Sequence, residues 1–248
     1  MIFALIVSFI CLVYSTASVA DDVASLRSTI EYLSSSGSRL AGYPGSAQAA
    51  DYVERRLQSL GLQTHRDTFS VVVPVDLGGR LQWGDESVEL HALWPNAART
   101  ATLPPEGVRA SAIWGGRGDW ADYNGMEVAG RVVVLDFAGG DNWLKAAALG
   151  ARAVVFVAPE LATTGQALAK YSQAPLDVPR FWLERSAGEQ LRRRLAAGPV
   201  DVALWSRTDW LERPAWNIWA EMTGVDPDLR DEKVLLHAYY DAPSVVPA

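Results

Sequence analysis

The chain has 248 residues, with 29 acidic and 22 basic side chains and a formal net charge of −7. This dispersed acidic character excludes a nucleic-acid partner, which requires a clustered basic face. The only cysteine, Cys11, leaves no partner for a disulfide and excludes a cysteine-based metal cluster.

The N-terminus has the features of an export signal. An uncharged apolar run from Ile2 to Tyr14 is followed by small residues up to Ala20, which predicts a signal peptide over residues 1–20. The protein is therefore expected outside the cytoplasm: secreted, periplasmic or on the extracytoplasmic face of a membrane. The run is shorter than the ~20 residues of a spanning helix, so an uncleaved anchor is the alternative, and the mature chain has no other candidate span.

Two helices, a strand and a β-hairpin are predicted next. Residues 21–34 carry apolar side chains at helical spacing. A second helix is predicted with Ser46 as its N-cap and Gly61 as its stop. Residues 62–75 predict a strand, and the alternating stretch around the Gly84-Asp85 turn predicts a β-hairpin.

Strands and helices alternate from residue 107 to residue 210. The stretches "GRVVVLDF" and "RAVVFVAP" are almost entirely apolar, which is typical of strands buried on both faces. A helix capped by Asp141 or Asn142 lies between them, and a later helix is predicted with Ser186 as its N-cap. This alternation predicts a small α/β unit that folds by itself.

The last part of the chain carries the candidate site residues. "PAWNIWAEMTG" and "EKVLLHAYYD" predict two strands across an acidic turn. His237, Tyr239 and Asp241 share one face of the second strand, in steps of ~6.6–6.8 Å. Without further ligands they do not make a metal site, because zinc requires at least three protein donors.

Ten tryptophans are a large number for this length. Trp114, Trp120 and Trp143 lie near glycine-rich loops, where an exposed indole ring can stack on a sugar. Most of the tryptophans are expected to pack in the core or at an edge, and a glycan-binding surface is the alternative role for these three rings.

The opening of the mature chain resembles the secreted zinc-dependent aminopeptidases, the family that includes glutamate carboxypeptidase II and the transferrin receptor ectodomain. In that family an Arg-x-x-Gly-x-x-Gly loop precedes a helix that ends in Leu-Gly. The matching residues are Arg39, Gly42, Gly45 and the Leu60-Gly61 pair.

The middle of the chain resembles the protease-associated (PA) domain that many members carry as an insert, through "VAGRVVVLD", "KAAALGARAVVFVAP" and "LDVPRFWLERSAGEQLRRRL". The resemblance implies an α/β fold: an incomplete zinc-aminopeptidase-like α/β domain with an inserted PA α/β domain. It divides the mature chain into a first peptidase-like part (21–105), the PA insert (106–210) and a resumed, truncated peptidase-like part (211–248).

The resumed part departs from the family pattern at the metal site. The family strand ends in Gly-Ala-His-Tyr-Asp, and its histidine is the first zinc ligand. Here Tyr239 stands in the histidine position and His237 in the glycine position, while Asp241 matches the carboxylate that orients the ligand. Phenol is a poor zinc donor near neutral pH, since its pKa is ~10. The family's later ligands and its general-base glutamate fall beyond Ala248. His237, Tyr239 and Asp241 are thus remnants of the family site, and no catalytic residue and no cofactor is expected in this chain, although zinc is the family's metal.

Three functions remain open on this reading. The first is the N-terminal portion of an exported metallo-aminopeptidase-like protein, which hydrolyses peptide N-termini in the parent family but is not competent as given. The second is a non-catalytic pseudo-peptidase ectodomain that binds a peptide or protein partner. The third is a glycan-binding secreted module.

Overall fold

The computed structural model of the chain describes residues 22–35, 38–95, 100–170 and 175–242. The predicted signal peptide lies outside the described residues. Within those ranges, no helix is long and apolar enough to cross a membrane.

The four predicted helices are confirmed, but their caps differ, and a fifth, short helix was not predicted from the sequence. The helices are α1 (22–35), α2 (Pro44–Ser59), α3 (Trp143–Ala148), α4 (Thr164–Leu168) and α5 (Arg185–Leu195). The predicted N-cap Ser46 is wrong, since α2 begins at Pro44, whose fixed φ suits the first turn of a helix. Ser186 is likewise inside α5, whose N-cap is Glu184. Asn142 is the N-cap of α3, although its side chain makes no capping hydrogen bond.

One mixed sheet organises the described chain. Its strands are β1 (Thr64–Trp83), β2 (Glu86–Glu89), β3 (His91–Ala92), β4 (Val108–Trp114), β5 (Val132–Asp136), β6 (Ala153–Val157), β7 (Arg180–Leu183) and β8 (Val200–Ala220). The order is β2-β1-β8-β4-β5-β6-β7-β3, with β4 to β7 parallel and the other neighbours antiparallel. The two edge strands β2 and β3 flank Leu90 directly, so the sheet must curl until its edges meet.

Strands β1 and β8 form one long antiparallel ribbon. Their register runs from Thr64 opposite Ala220 to Gln82 opposite Ala203, with a shift between Asp76 and Gly79. The sequence predicted a strand over residues 62–75 and a separate hairpin after it, with the "DLG" stretch between them. In the structure this stretch is instead part of one continuous strand and forms the register shift, a bulge-like irregularity. The ribbon therefore connects the strand–helix region to the part of the chain that carries α1 and α2.

The apolar strands in the middle of the sheet are buried on both faces, as predicted. In β5, Val132 and Val134 pack into one core cluster with Leu191 of α5. Val133, which points to the opposite face, packs into a second cluster with Trp143 of α3. Alternate residues of one strand therefore serve two hydrophobic layers, which explains the unbroken apolar run.

The predicted strand near the C-terminus is not formed. Residues 221–242 contain no strand, and no hydrogen bond joins the backbone of residues 233–239 to another described residue. A strand needs a neighbour that accepts and donates along its backbone. The sequence has the composition of a buried strand, but the described chain supplies no strand beside it.

Candidate functional site

The candidate site lies where residues 240–242 meet the loop before α2. Arg39 Nη1 donates a hydrogen bond to the carbonyl of Tyr240 at 3.1 Å. The backbone N–H of Ala242 donates to the carbonyl of Arg39, also at 3.1 Å. The Tyr240 hydroxyl donates to the carbonyl of Trp216 at 2.6 Å. Three contacts thus fix the end of this segment against the loop and against β8.

The loop that carries Arg39 is shaped by glycine. Gly42 has a φ of +86°, and a Cβ atom built on it would lie 2.5 Å from the Cβ of Arg213. Only glycine permits this conformation and this close approach to β8 without strain. Gly45 is buried in the first turn of α2. The Arg-x-x-Gly-x-x-Gly pattern therefore has a local purpose, which is to bring the backbone of Arg39 to the end of the 240–242 segment.

Tyr43 fastens the same loop to the ribbon. Its hydroxyl donates to the carbonyl of Pro74 at 3.0 Å and accepts from the N–H of Asp76 at 3.0 Å. Burial raises the pKa of the Tyr43 hydroxyl, and the hydrogen bond from Asp76 partly opposes this. The hydroxyl thus bridges Pro74 and Asp76, just before the register shift in β1, and ties the loop to the ribbon.

A charged cluster lies beneath Tyr240. Arg66 Nη1 contacts Asp51 Oδ1 at 2.6 Å and Glu54 Oε2 at 3.2 Å, and its guanidinium lies 4.6 Å from the ring centre of Trp216. The hydrogen bond to Asp51 is the main cause that raises the pKa of Arg66. Burial raises the pKa of Tyr240, and the charge of Arg66 opposes this. Tyr240 thus donates its proton to a carbonyl and is not a ready base.

The three sequence-predicted site residues do not converge. Tyr239 is 90% exposed, and His237 and Asp241 are also exposed. Among the described residues, no group of three or more His, Cys, Asp or Glu side chains can hold a metal ion. Zinc requires at least three protein donors, so the described residues do not fit a zinc ion.

The other two histidines have structural surroundings. The imidazole of His65 stacks on the indole of Trp219 at 4.2 Å between ring centres. His91 Nδ1 lies 3.8 Å from Glu89 Oε1. Both belong to the sheet, whereas His237 lies outside it.

The structure contains two buried cationic side chains that the sequence analysis did not predict. Lys170 and Arg180 are each 3% exposed. The Lys170 ammonium donates to the carbonyl of Gly140 and lies 4.8 Å from the ring centre of Phe137. Burial lowers the pKa of Lys170 to about 8. Arg180 donates to the carbonyls of Lys170 and Trp94. No sequence signal marks these two residues, because their burial depends on the tertiary packing of three loops.

The three tryptophans near glycine-rich loops do not form a shared exposed surface. Trp143 is 1% exposed and donates its indole N–H to the carbonyl of Ala169 at 3.2 Å, so its ring packs in the core and cannot stack on a sugar. Trp114 is partly buried, with the Arg192 guanidinium 5.4 Å from its ring centre. Of the three, only Trp120 is largely exposed, at 59%. The three rings therefore do not together form a surface on which a sugar could stack.

A polar cleft of about 510 Å³ opens elsewhere on the sheet, where β1, β4 and β8 adjoin. Its polar rim includes Gln82, Arg109, Ser111 and Asp201. None of the sequence-predicted site residues lines it.

Comparisons with known proteins show the fold. No protein-family model and no curated protein matches the sequence. The chain is similar to the solved structure of a zinc aminopeptidase from Bacillus subtilis, with a TM-score of 0.53 and 20% identity over 78% of this chain and 45% of the other. It is also similar to a peptidase M28 precursor from Shewanella amazonensis SB2B, with a TM-score of 0.52 and 15% identity over 77% of this chain and 48% of the other.

The chain therefore has an aminopeptidase-like α/β fold and spans about half the length of the structures it matches. Structural similarity at such low sequence identity shows the fold alone. Any chemical activity has to be argued from the residues of the site.

Proposed function

We propose that the chain is the N-terminal portion of an exported metallo-aminopeptidase-like protein. Residues 106–210 form the PA insert, and the peptidase-like domain resumes at residue 211. The observation that carries this proposal is the contact between Arg39 and Tyr240. It joins the loop that resembles the family's Arg-x-x-Gly-x-x-Gly motif to the segment that resembles the family's metal-binding strand.

The chain itself performs no hydrolytic step in this proposal. Its donor set does not fit zinc, since Tyr239 offers an exposed phenol where the family has an imidazole. Asp241 stands in the position of the carboxylate that orients a ligand, but no histidine stands beside it at position 239 to be oriented. The described residues supply the scaffold around the strand end, and the insert shapes the approach to it.

Metal analysis and a peptidase assay test this proposal together. After dialysis against zinc-containing and then zinc-free buffer, we expect far less than one equivalent of zinc and no release of product from aminoacyl chromogenic substrates. The His237→Ala variant is the matched control and should behave identically. Near-stoichiometric zinc that disappears in this variant, or turnover by the wild-type chain, would contradict the proposal.

A non-catalytic function in binding a peptide or protein partner is the second candidate. It is favoured by the exposed apolar side chains of Val234, Leu235 and Leu236, which are 83–90% exposed. The chain would then bind peptides without cleaving them. Fluorescence titration with labelled peptides, followed by mass spectrometry of the same samples, should show saturable binding and intact peptides. Cleaved products in these samples would exclude this candidate.

A further inference from the structure

The polar cleft on the sheet lies far from the contact between Arg39 and Tyr240. The Tyr240 hydroxyl meets β8 at Trp216, which pairs with Thr68 of β1. The cleft begins at Gln82, roughly 14 residues farther along β1, or ~45 Å at ~3.3 Å per residue. Its volume of about 510 Å³ is within the range of small-molecule sites. The cleft is therefore a separate feature, and what it binds does not depend on the proposed function.

Three neighbouring strands form the floor and the walls of the cleft. Ala203 of β8 pairs with Gln82 of β1 on one side and with Arg109 of β4 on the other. Two residues along β8, Asp201 pairs with Ser111 of β4. Ala203 has the smallest of these five side chains and is 5% exposed, so longer side chains stand around a methyl floor. The alternate residues of the same strands point to the opposite face, into the core cluster of α5: Leu81, Val108 and Leu204.

Strand β4 changes from apolar to polar along this face. Ile113 is 6% exposed and belongs to the core cluster of Trp143. Ser111, the next residue on the same face, is half-buried, and Arg109, the one after it, is exposed. The layer that covers Ile113 therefore ends before Arg109, and the cleft opens at the margin of this layer.

The cleft carries one cation and one anion that do not pair with each other. Asp201 is the diagonal neighbour of Arg109 across β8 and β4, at a Cα separation of ~7–8 Å. Within the described ranges, no hydrogen bond or ion pair engages the side chain of either residue, or those of Gln82 and Ser111 beside them. A ligand with a single charge is attracted by one of the two charged groups and repelled by the other. A ligand with both charges is attracted by both.

We propose that this cleft binds the zwitterionic backbone of a free α-amino acid. The guanidinium of Arg109 binds the carboxylate of the ligand, which it matches through two parallel hydrogen bonds. The Asp201 carboxylate accepts from the ammonium. Gln82 donates to the carboxylate from the other side of Ala203, and the Ser111 hydroxyl accepts from the ammonium beside Asp201.

The spacing of the two charges favours a single amino acid over a peptide. Arg109 and Asp201 are diagonal neighbours on adjacent strands, so their side chains meet over one small area of the cleft. The two charges of a free α-amino acid flank the same Cα atom. The terminal charges of an extended peptide move apart by ~3.3–3.6 Å with each further residue, and the cleft offers no second pair of charges at that distance among its lining residues.

NMR titration of the chain with three related probes tests the two charges. L-alanine carries both charges, N-acetyl-L-alanine only the carboxylate, and L-alanine amide only the ammonium. With L-alanine we expect saturable shifts at the backbone amides of residues 82–84, 109–111 and 201–203. Each blocked probe should bind with a Kd about tenfold higher, because it loses one charged contact. Absence of saturable shifts with L-alanine, shifts confined to other residues, or equal Kd values for the three probes overturns the proposal.

Two substitutions assign each charge to its residue. Arg109→Gln should remove the preference for L-alanine over L-alanine amide, since the carboxylate then has no cation to bind. Asp201→Asn should likewise remove the preference for L-alanine over N-acetyl-L-alanine. Arg207→Gln is the matched control, because this arginine lies on β8 with an exposed side chain outside the cleft, and it should leave all three Kd values unchanged. A dispersed spectrum shows that each variant is folded. Cleft variants that keep the wild-type preferences, or a control that loses them, overturn the proposal.

Discussion

Arg39 and Tyr240 are 201 positions apart in the chain, yet the guanidinium of one donates to the backbone carbonyl of the other at 3.1 Å. The same arginine accepts a hydrogen bond through its own carbonyl from Ala242 at 3.1 Å. One residue thus uses both its side chain and its backbone to fix the end of a segment that has no strand partner among the described residues. The position of Asp241 depends on this contact.

Replacing Arg39 by Ala should release residues 233–242 without unfolding the sheet. The lost charged hydrogen bond contributes ~1.5–3 kcal/mol at most, and neither core cluster includes Arg39. Hydrogen exchange followed by mass spectrometry should show faster exchange at residues 240–242 and unchanged protection in β5 and β6. The control is Arg55→Ala on the exposed face of α2, which should leave exchange at residues 240–242 unchanged. Equal exchange in both variants would contradict this role of Arg39.

Replacing Gly42 by Ala should destabilise the protein more than replacing Gly61 by Ala. Both glycines have positive φ angles, of +86° and +80°, so each substitution carries the ~1–2 kcal/mol cost of a left-handed conformation. At Gly61 a new Cβ meets nothing within 4 Å, whereas at Gly42 it lies 2.5 Å from the Cβ of Arg213. The clash adds ~1–3 kcal/mol. Urea denaturation measures the difference, and equal midpoints would show that the loop moves freely.

The parts of the fold that follow from local pattern were predictable. The unbroken apolar runs of β5 and β6 indicated burial on both faces, and the Gly84-Asp85 turn indicated the β1–β2 hairpin, which the register confirms with Trp83 opposite Glu86. The continuity of β1 and β8 was not predictable. The "DLG" stretch separated the two predicted elements, whereas in the structure β1 continues through it with a register shift, because it pairs with β8 on both sides. Such long-range pairing leaves no local signature.

The residue types at the candidate site could be predicted from the sequence, but the contacts between them could not. The departure at Tyr239 could be read from the sequence, since it depends on residue type alone. The contact of Arg39 with Tyr240 depends on how the segment before β1 and the segment after β8 are brought together in the folded chain. The burial of Lys170 likewise depends on loops that meet only in the folded chain.

A fragment of residues 71–210 should fold, whereas residues 107–210 alone should not. The sequence predicted that residues 107–210 fold by themselves, but one of the two core clusters includes six buried residues that precede residue 107: Leu81, Trp83, Leu90, Ala92, Ala101 and Leu103. The shorter fragment also lacks β1, which pairs with β8. Circular dichroism melting should show a cooperative transition for the longer fragment only. A cooperative transition of the shorter fragment would show that these six residues are dispensable.

Lys170 should make the stability of the protein depend on pH. Burial lowers the pKa of its folded-state ammonium from 10.5 to about 8, so between these pH values the unfolded chain binds a proton that the folded chain has released. The free energy of unfolding therefore rises with pH across this window, and this contribution is lost as the pH falls through it. Lys170→Met removes it. Urea midpoints at pH 7 and pH 10 should show a stability gain of the variant over wild type that shrinks at the higher pH. The titration of Tyr123, whose pKa burial raises to about 12, is common to both proteins and cancels in this comparison. Lys145→Met retains Lys170 and should follow the wild-type profile, so a Lys170→Met profile parallel to wild type would contradict the assignment.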